Sequence, residues 1–137
     1  MSADDLFAAA LAAREHAYAP YSRYPVGAAL RVDDGRVFAG ANVENAAYPE
    51  GQCAETSAIG AMTTAGARRI VEALVVAGGT LLPTPCGGCR QRLREFMALD
   101  APVHLAGPGG VIRTVTLGEL LPLSFGPEHL GIKEASK

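Results

Sequence analysis

The chain has 137 residues, 49% hydrophobic and 19% charged, a size and balance that let one globular domain bury its own core without disulfide staples and exclude a disordered chain. Its net charge is −2 at pH 7 and its only lysines are Lys133 and Lys137, so a surface that tracks nucleic-acid phosphates is not expected. The chain opens with Asp4 and Asp5 rather than a basic stretch, and the apolar run 73–82 is broken by Gly78, Gly79 and Thr80; neither a secretory leader nor a membrane span is expected, and a cytoplasmic location is.

In chain order, Ser2 followed by Asp5 resembles a capping box, and Leu6, Phe7, Ala10 and Leu11 recur at helical spacing, which predicts a first helix running to about residue 18. The segment 19–25 carries prolines at both ends and reads as a fixed loop. Two strands, 26–32 and 36–43, follow around Asp33-Asp34-Gly35, a hairpin signal. Pro49 and Gly51 break the chain before a helical stretch from Ala54 to Gly66. The Val-rich run 70–77 predicts a central strand covered on both faces. After Pro83 and Pro85 come a third helix over 90–99, a strand over 103–106, a Pro108-Gly109-Gly110 turn and a last strand over 111–116. The order α-β-β-α-β-α-β-β predicts a three-layer α/β/α sandwich with one mixed five-stranded sheet, in a single domain spanning 1–137. Arg90, Arg92 and Arg94 share their stretch with Glu95 and read as a solvated helix face.

The chemistry concentrates in the cysteines. All three fall in two motifs, Cys53-Ala54-Glu55 and Pro85-Cys86-Gly87-Gly88-Cys89, each at a predicted helix start. Cys86 and Cys89, at i and i+3, lie on one face of a first turn and can share an ion with Cys53 as third ligand. A lone Cys-x-x-Cys fits a redox pair as well as a metal site. Thiol exchange, however, gives no role to a third cysteine or to Glu55, and the combination favours zinc.

Three thiolates leave one tetrahedral position unfilled. His16, His104 and His129 stand at no ligand spacing to a cysteine, so that position is assigned to water, as in catalytic zinc sites. A dication with three thiolates carries net charge −1, which helix N-termini offset in part through their free N–H groups and dipole. Glu55 alone would read as a solvated helix residue, and Asn42 and Glu44 alone as polar residues capping a strand end.

Cys-x-Glu followed by Pro-Cys-x-x-Cys is the established signature of the three-cysteine zinc deaminases. The chain resembles in particular the small, homotetrameric cytidine deaminases, through Tyr18-Ala-Pro-Tyr-Ser, Val26-Gly-Ala-Ala-Leu, Gly40-Ala-Asn-Val-Glu-Asn-Ala, both cysteine motifs and Leu120-Leu-Pro-Leu-Ser-Phe-Gly-Pro. The resemblance implies hydrolytic deamination of cytidine and deoxycytidine in pyrimidine salvage, with one Zn²⁺ per subunit held by Cys53, Cys86 and Cys89, and Glu55 as proton shuttle. It further implies that Asn42 and Glu44 grip the ribose and that Tyr24, where relatives usually carry Phe, walls the nucleoside. The backbone of Ala54 and of Thr84 would meet the base edges. Ala46, Tyr48 and Phe125 would enter a neighbouring subunit's site; read alone, Phe125 is equally an intrachain tail contact. Thr56 departs from the family pattern, which usually places Arg directly after the catalytic Glu, and Arg90 is the nearest alternative cation in sequence. A deaminase of a related nucleoside or nucleoside antibiotic, and a non-catalytic zinc-binding interaction module, are the rival readings.

Overall fold

Alternation along the strands builds the architecture. The computed structural model describes residues 2–132, so Lys133 and Lys137 lie outside the described residues. Strands β1 (Val26–Val32), β2 (Val37–Ala41), β3 (Ile70–Ala77), β4 (Pro102–Gly107) and β5 (Gly110–Thr116) form one sheet in the order β2-β1-β3-β4-β5. β3 and β4 pair in parallel and every other neighbour is antiparallel, as a mixed sheet requires. β3 lies at its centre, and the predicted two-faced burial of its Val-rich run is found.

One face of the sheet packs on helix α1 (Ala3–Arg14), where Leu6 and Ala10 meet Ala29, Leu74 and Val76. The other face packs on helices α2 (Ala54–Thr64) and α3 (Gly87–Phe96), where Ala58, Met62 and Leu93 meet Leu30, Val103 and Leu105. Two glycines set how closely the helices approach. A Cβ at Gly27 would lie 2.0 Å from the Ala10 carbonyl oxygen, and one at Gly40 would lie 2.5 Å from the Ala58 nitrogen and 2.7 Å from the Ala54 oxygen. Gly40 thereby fixes the depth at which the start of α2 sits on the sheet.

The helix boundaries differ from the sequence expectation for identifiable reasons. α1 stops at Arg14 rather than near residue 18, because the Tyr18 backbone pairs with the strand end instead: its N–H donates to Asn42 O at 3.0 Å and its carbonyl accepts from Glu44 N at 2.9 Å. Ser2 caps α1 by accepting from the Asp4 N–H at 3.3 Å, whereas Asp5 turns toward Arg31, 4.0 Å away. β2 ends at Ala41, with Val43 bridging Tyr18 and Gln52 in a separate small ladder. α3 begins three residues earlier than expected and ends at Phe96, since Met97 is extended and bridges Ile70. A short helix α4 (Leu117–Leu120), closed by a Thr116/Glu119 capping box, and single 3-10 turns at Tyr48–Glu50 and Pro127–Leu130 were not anticipated.

A charged ladder crosses the α1 face of the sheet. Arg31, 4% exposed, donates from Nε to Glu72 at 3.1 Å and from Nη2 to the Ser2 carbonyl at 2.8 Å. His104 Nε2 donates to the other Glu72 oxygen at 2.5 Å, and its Nδ1 lies 2.8 Å from the Thr114 hydroxyl. Burial alone would push the Glu72 carboxyl up, but the bonds from His104 and Arg31 outweigh it and hold the group below its ordinary 4.5. Breaking a buried pair is costly. Glu72→Ala is expected to lower stability by about 3 kcal/mol, the low end for such pairs because Asp5 and the Ser2 carbonyl still face Arg31. A depressed folded pKa gives stability that is present above the unfolded value and lost as pH falls. Denaturant unfolding of variant and parent should therefore converge as pH drops below 4.5.

Candidate active site

Two helix starts, built alike, bring the cysteines together. Cys53 is the N-cap of α2 with φ −74° and ψ 160°, and Cys86 is the N-cap of α3 with φ −66° and ψ 165°. Extended backbone at an N-cap turns the side chain back over the first-turn N–H groups, the place an anion prefers. Neither cysteine makes a side-chain capping bond, and Cys89 sits fully buried in the first turn of α3. The three sulfurs lie within 4.8 Å of one another, with Cys53 and Cys86 Sγ 3.6 Å apart. Thiolates about 2.3 Å from a tetrahedral zinc stand about 3.8 Å apart, so the donor set fits that ion in both chemistry and spacing. Among the described residues these three form the one group of metal-ligating side chains so disposed. His104 belongs to the sheet ladder, His129 to the C-terminal turn, and His16 is exposed beyond α1.

The thiols are coupled. A hydrogen bond from Cys89 holds the Cys53 thiol below its ordinary pKa, while that same bond, together with burial, pushes Cys89 up. Metal binding must therefore displace protons that the cluster shares. Thr56 places its hydroxyl 3.8 Å from Cys89 Sγ, a neutral polar contact at the position where the resemblance implies a cation. Arg90 does not supply that cation. Its Nε donates to the Pro85 carbonyl at 2.8 Å and its Nη1 to the Leu120 carbonyl at 2.7 Å. The two helix starts and the Thr56 hydroxyl face the sulfurs instead.

Glu55 follows Cys53 by two residues and is 3% exposed. Burial pushes its carboxyl above the ordinary 4.5, against a backbone N–H, the Cys89 thiol and the charge of Arg92, which pull it down. A carboxyl raised in this way is suited to take up and release a proton near neutral pH.

A cavity of about 260 Å³ opens over these groups. Its walls include Cys53, Ala54, Glu55, Thr84 and Cys86 from the helix starts, Asn42 and Glu44 from the strand end, and Ser22 and Tyr24 from the proline-bounded loop. Asn42 and Glu44 hold that loop in place. Asn42 Oδ1 accepts from Val26 N at 2.9 Å and its Nδ2 donates to the Tyr24 carbonyl at 3.0 Å. Glu44 Oε1 accepts from the N–H groups of Tyr21 and Ser22, each at 3.0 Å, and Oε2 accepts from the Ser22 hydroxyl. The Ser22 bonds keep the Glu44 carboxyl below its usual range. As an ionised acceptor, Glu44 retains lone pairs for a further hydroxyl.

Ala46, Tyr48 and Phe125 do not line this cavity in their own chain. Ala46 and Tyr48 are exposed, and Tyr48 borders an adjoining cavity of about 360 Å³ that shares Ser22 and Glu44 with the first. Phe125 is exposed on the C-terminal turn. Sequence reasoning missed Ser22, though its place beside Tyr21 in the loop motif was visible, and it missed the walls Val26, Val75, Ala77 and Pro83. Those residues carry no chemical signature and are found only once the sheet order is known. The arginines of α3 also need correction: Arg92 is exposed, but Arg94 is 4% exposed and Arg90 is half-buried, so this stretch is not a solvated face.

The family model for the cytidine and deoxycytidylate deaminase zinc-binding region matches residues 1–104, which takes in both cysteine motifs. A cytidine deaminase of Sporosarcina psychrophila is 42% identical over 130 residues, covering 95% of this chain and 96% of the relative. The crystal structure of cytidine deaminase from Burkholderia pseudomallei superposes with a TM-score of 0.86 at 43% identity, over 91% of this chain and 100% of that one. That from Mycobacterium tuberculosis gives 0.81 at 39% identity, over 92% and 98%. Sequence and fold agree along almost the whole described chain, through both helix starts that gather the thiols, and the chain belongs to the cytidine and deoxycytidylate deaminase family with its zinc-binding region.

Proposed function

We propose that residues 1–137 act as one catalytic domain that hydrolyses cytidine and deoxycytidine to uridine and deoxyuridine, releasing ammonia, in the cytoplasm. The observation that carries this reading is the buried Glu55 carboxyl facing the same cavity as the cysteine cluster, with Asn42 and Glu44 across from it. Cys53, Cys86 and Cys89 hold zinc, which when bound supplies the Lewis acidity that makes a water acidic near neutral pH. Glu55 would accept a proton from the attacking water and deliver it to ring N3, making C4 more electrophilic. It then carries the second proton to the exocyclic amine as ammonia leaves. Water thus supplies the oxygen gained at C4, the proton kept on N3 of the product and the one proton that turns the leaving amine into ammonia.

Glu44 and Asn42 bind the ribose hydroxyls, Tyr24 walls the nucleoside, and the backbone at Ala54 and Thr84 meets the base. The active unit is a homotetramer in which Ala46, Tyr48 and Phe125 reach a neighbour's cavity. Their exposure in a single chain, outside the cavity they would complete, supports this arrangement. Among the described residues no helix is long and apolar enough to cross a membrane.

Two measurements test the proposal. Turnover of cytidine and deoxycytidine should exceed that of related nucleosides carrying altered bases, and a reversed preference would move the assignment to a related nucleoside. Sedimentation at assay concentration should give a tetramer, and a fully active monomer would contradict the shared site.

A further inference from the structure

The segment that follows α4 is held in place by side chains of α3. Arg94, 4% exposed, donates from Nε to the Ser124 hydroxyl at 2.8 Å and pairs with the Glu128 carboxylate. The Gly126 backbone passes so close that a Cβ there would lie 2.4 Å from Arg94 Cζ. With φ at −150°, a larger residue here would have to displace the guanidinium from its place, whereas the torsion angle itself suits any residue. One turn earlier on α3, Gln91 donates to the Phe125 carbonyl at 2.9 Å. The Phe125 ring stacks on His129 with centroids 4.9 Å apart, and His129 Nδ1 accepts the Gly126 N–H at 3.0 Å.

Burying an arginine is costly unless it is paired. Here the pairing is spent on a surface turn whose central aromatic ring stays 55% exposed. The contacts fix the backbone on both sides of Phe125 and leave one face of its ring open. Because α3 also carries Cys86 and Cys89 at its start, the ring is placed rigidly with respect to the thiol cluster of its own chain.

We propose that Arg94 is a positioning residue, which with Glu128 clamps the turn so that Phe125 is presented to the nucleoside cavity of a second copy of this chain. A defect at Arg94 is then felt in the neighbour's site and not in its own. The inference rests on the shared-site reading proposed above.

The test uses Arg94→Gln and Glu128→Gln in the zinc-loaded protein. Glu128 is exposed, so its replacement tests the clamp even if the arginine variant does not fold. Losing one charge-assisted contact should raise KM about three- to tenfold, with kcat changed less than about twofold. Zinc content should stay at one per chain, and amide exchange at Phe125 and Gly126 should quicken.

The decisive step mixes subunits of either clamp variant with Glu55→Gln subunits, whose own turnover is expected to be about 10⁴-fold lower but which carry an intact turn. Hybrid tetramers should regain the parental KM at sites that keep Glu55. Hybrids that retain the raised KM of the clamp variant would overturn the proposal, because the effect would then lie within one chain. Phe125→Ala separates the two readings. Parental kinetics in that variant would remove the shared site itself. A raised KM in Phe125→Ala together with parental KM in both clamp variants would overturn the role of Arg94 alone.

Discussion

Glu55→Gln is expected to lower kcat for cytidine by about 10⁴-fold or more, the upper end for removing a general acid/base, because one carboxyl serves successive proton transfers. An amide of the same shape cannot carry a proton, and it is not a thiol ligand, so one zinc per chain should remain. The variant should also melt at or above the parental temperature. Burial makes the charged form of Glu55 costly, and a neutral amide escapes that cost, as often happens when a catalytic group is replaced. Steady-state kinetics beside elemental analysis decides the matter. Activity within about tenfold of the parent would remove Glu55 from the proton-carrying role.

Cys89→Ser should have an effect of comparable size by a different route. Cys89 is fully buried at the first turn of α3, and serine offers a harder, shorter and less acidic donor than the thiolate zinc prefers. Stoichiometric zinc should be lost and turnover with it. Thr56→Val, which removes only the hydroxyl 3.8 Å from Cys89 Sγ, should weaken zinc by no more than about 10–100-fold, the range for outer-shell partners. Retention of one tightly held zinc in Cys89→Ser would contradict the ligand set, and zinc loss in Thr56→Val equal to that in Cys89→Ser would contradict the ranking.

Local chemistry made the centre of the site legible in the sequence. Cys86 and Cys89 sit one helical turn apart, Cys53 and Glu55 share a helix start, and each motif carries its own cap geometry, so spacing alone conveys their arrangement. The sheet was legible for the same reason, since Val-rich β3 and the Asp34-Gly35 turn are short-range signals. What escaped was decided by distant partners. The end of α1 depends on Tyr18 finding the backbone of Asn42 and Glu44, which no helical period records. Arg94 looked solvated because a long side chain's destination is tertiary, and here it is Ser124 and Glu128 some thirty residues away. Arg90, nearest to Cys89 in sequence, spends its guanidinium on the Pro85 and Leu120 carbonyls.

The central claim is that this cavity deaminates cytidine by means of zinc held on three thiolates. Its most direct test follows the absorbance of cytidine and the ammonia formed, using purified protein before chelation, after chelation and after zinc is restored. The predicted result is equimolar uridine and ammonia, lost on chelation and recovered with one zinc per chain. Protein that binds one zinc per chain yet converts no cytidine would contradict the claim, and so would turnover that persists at full rate once the metal is gone.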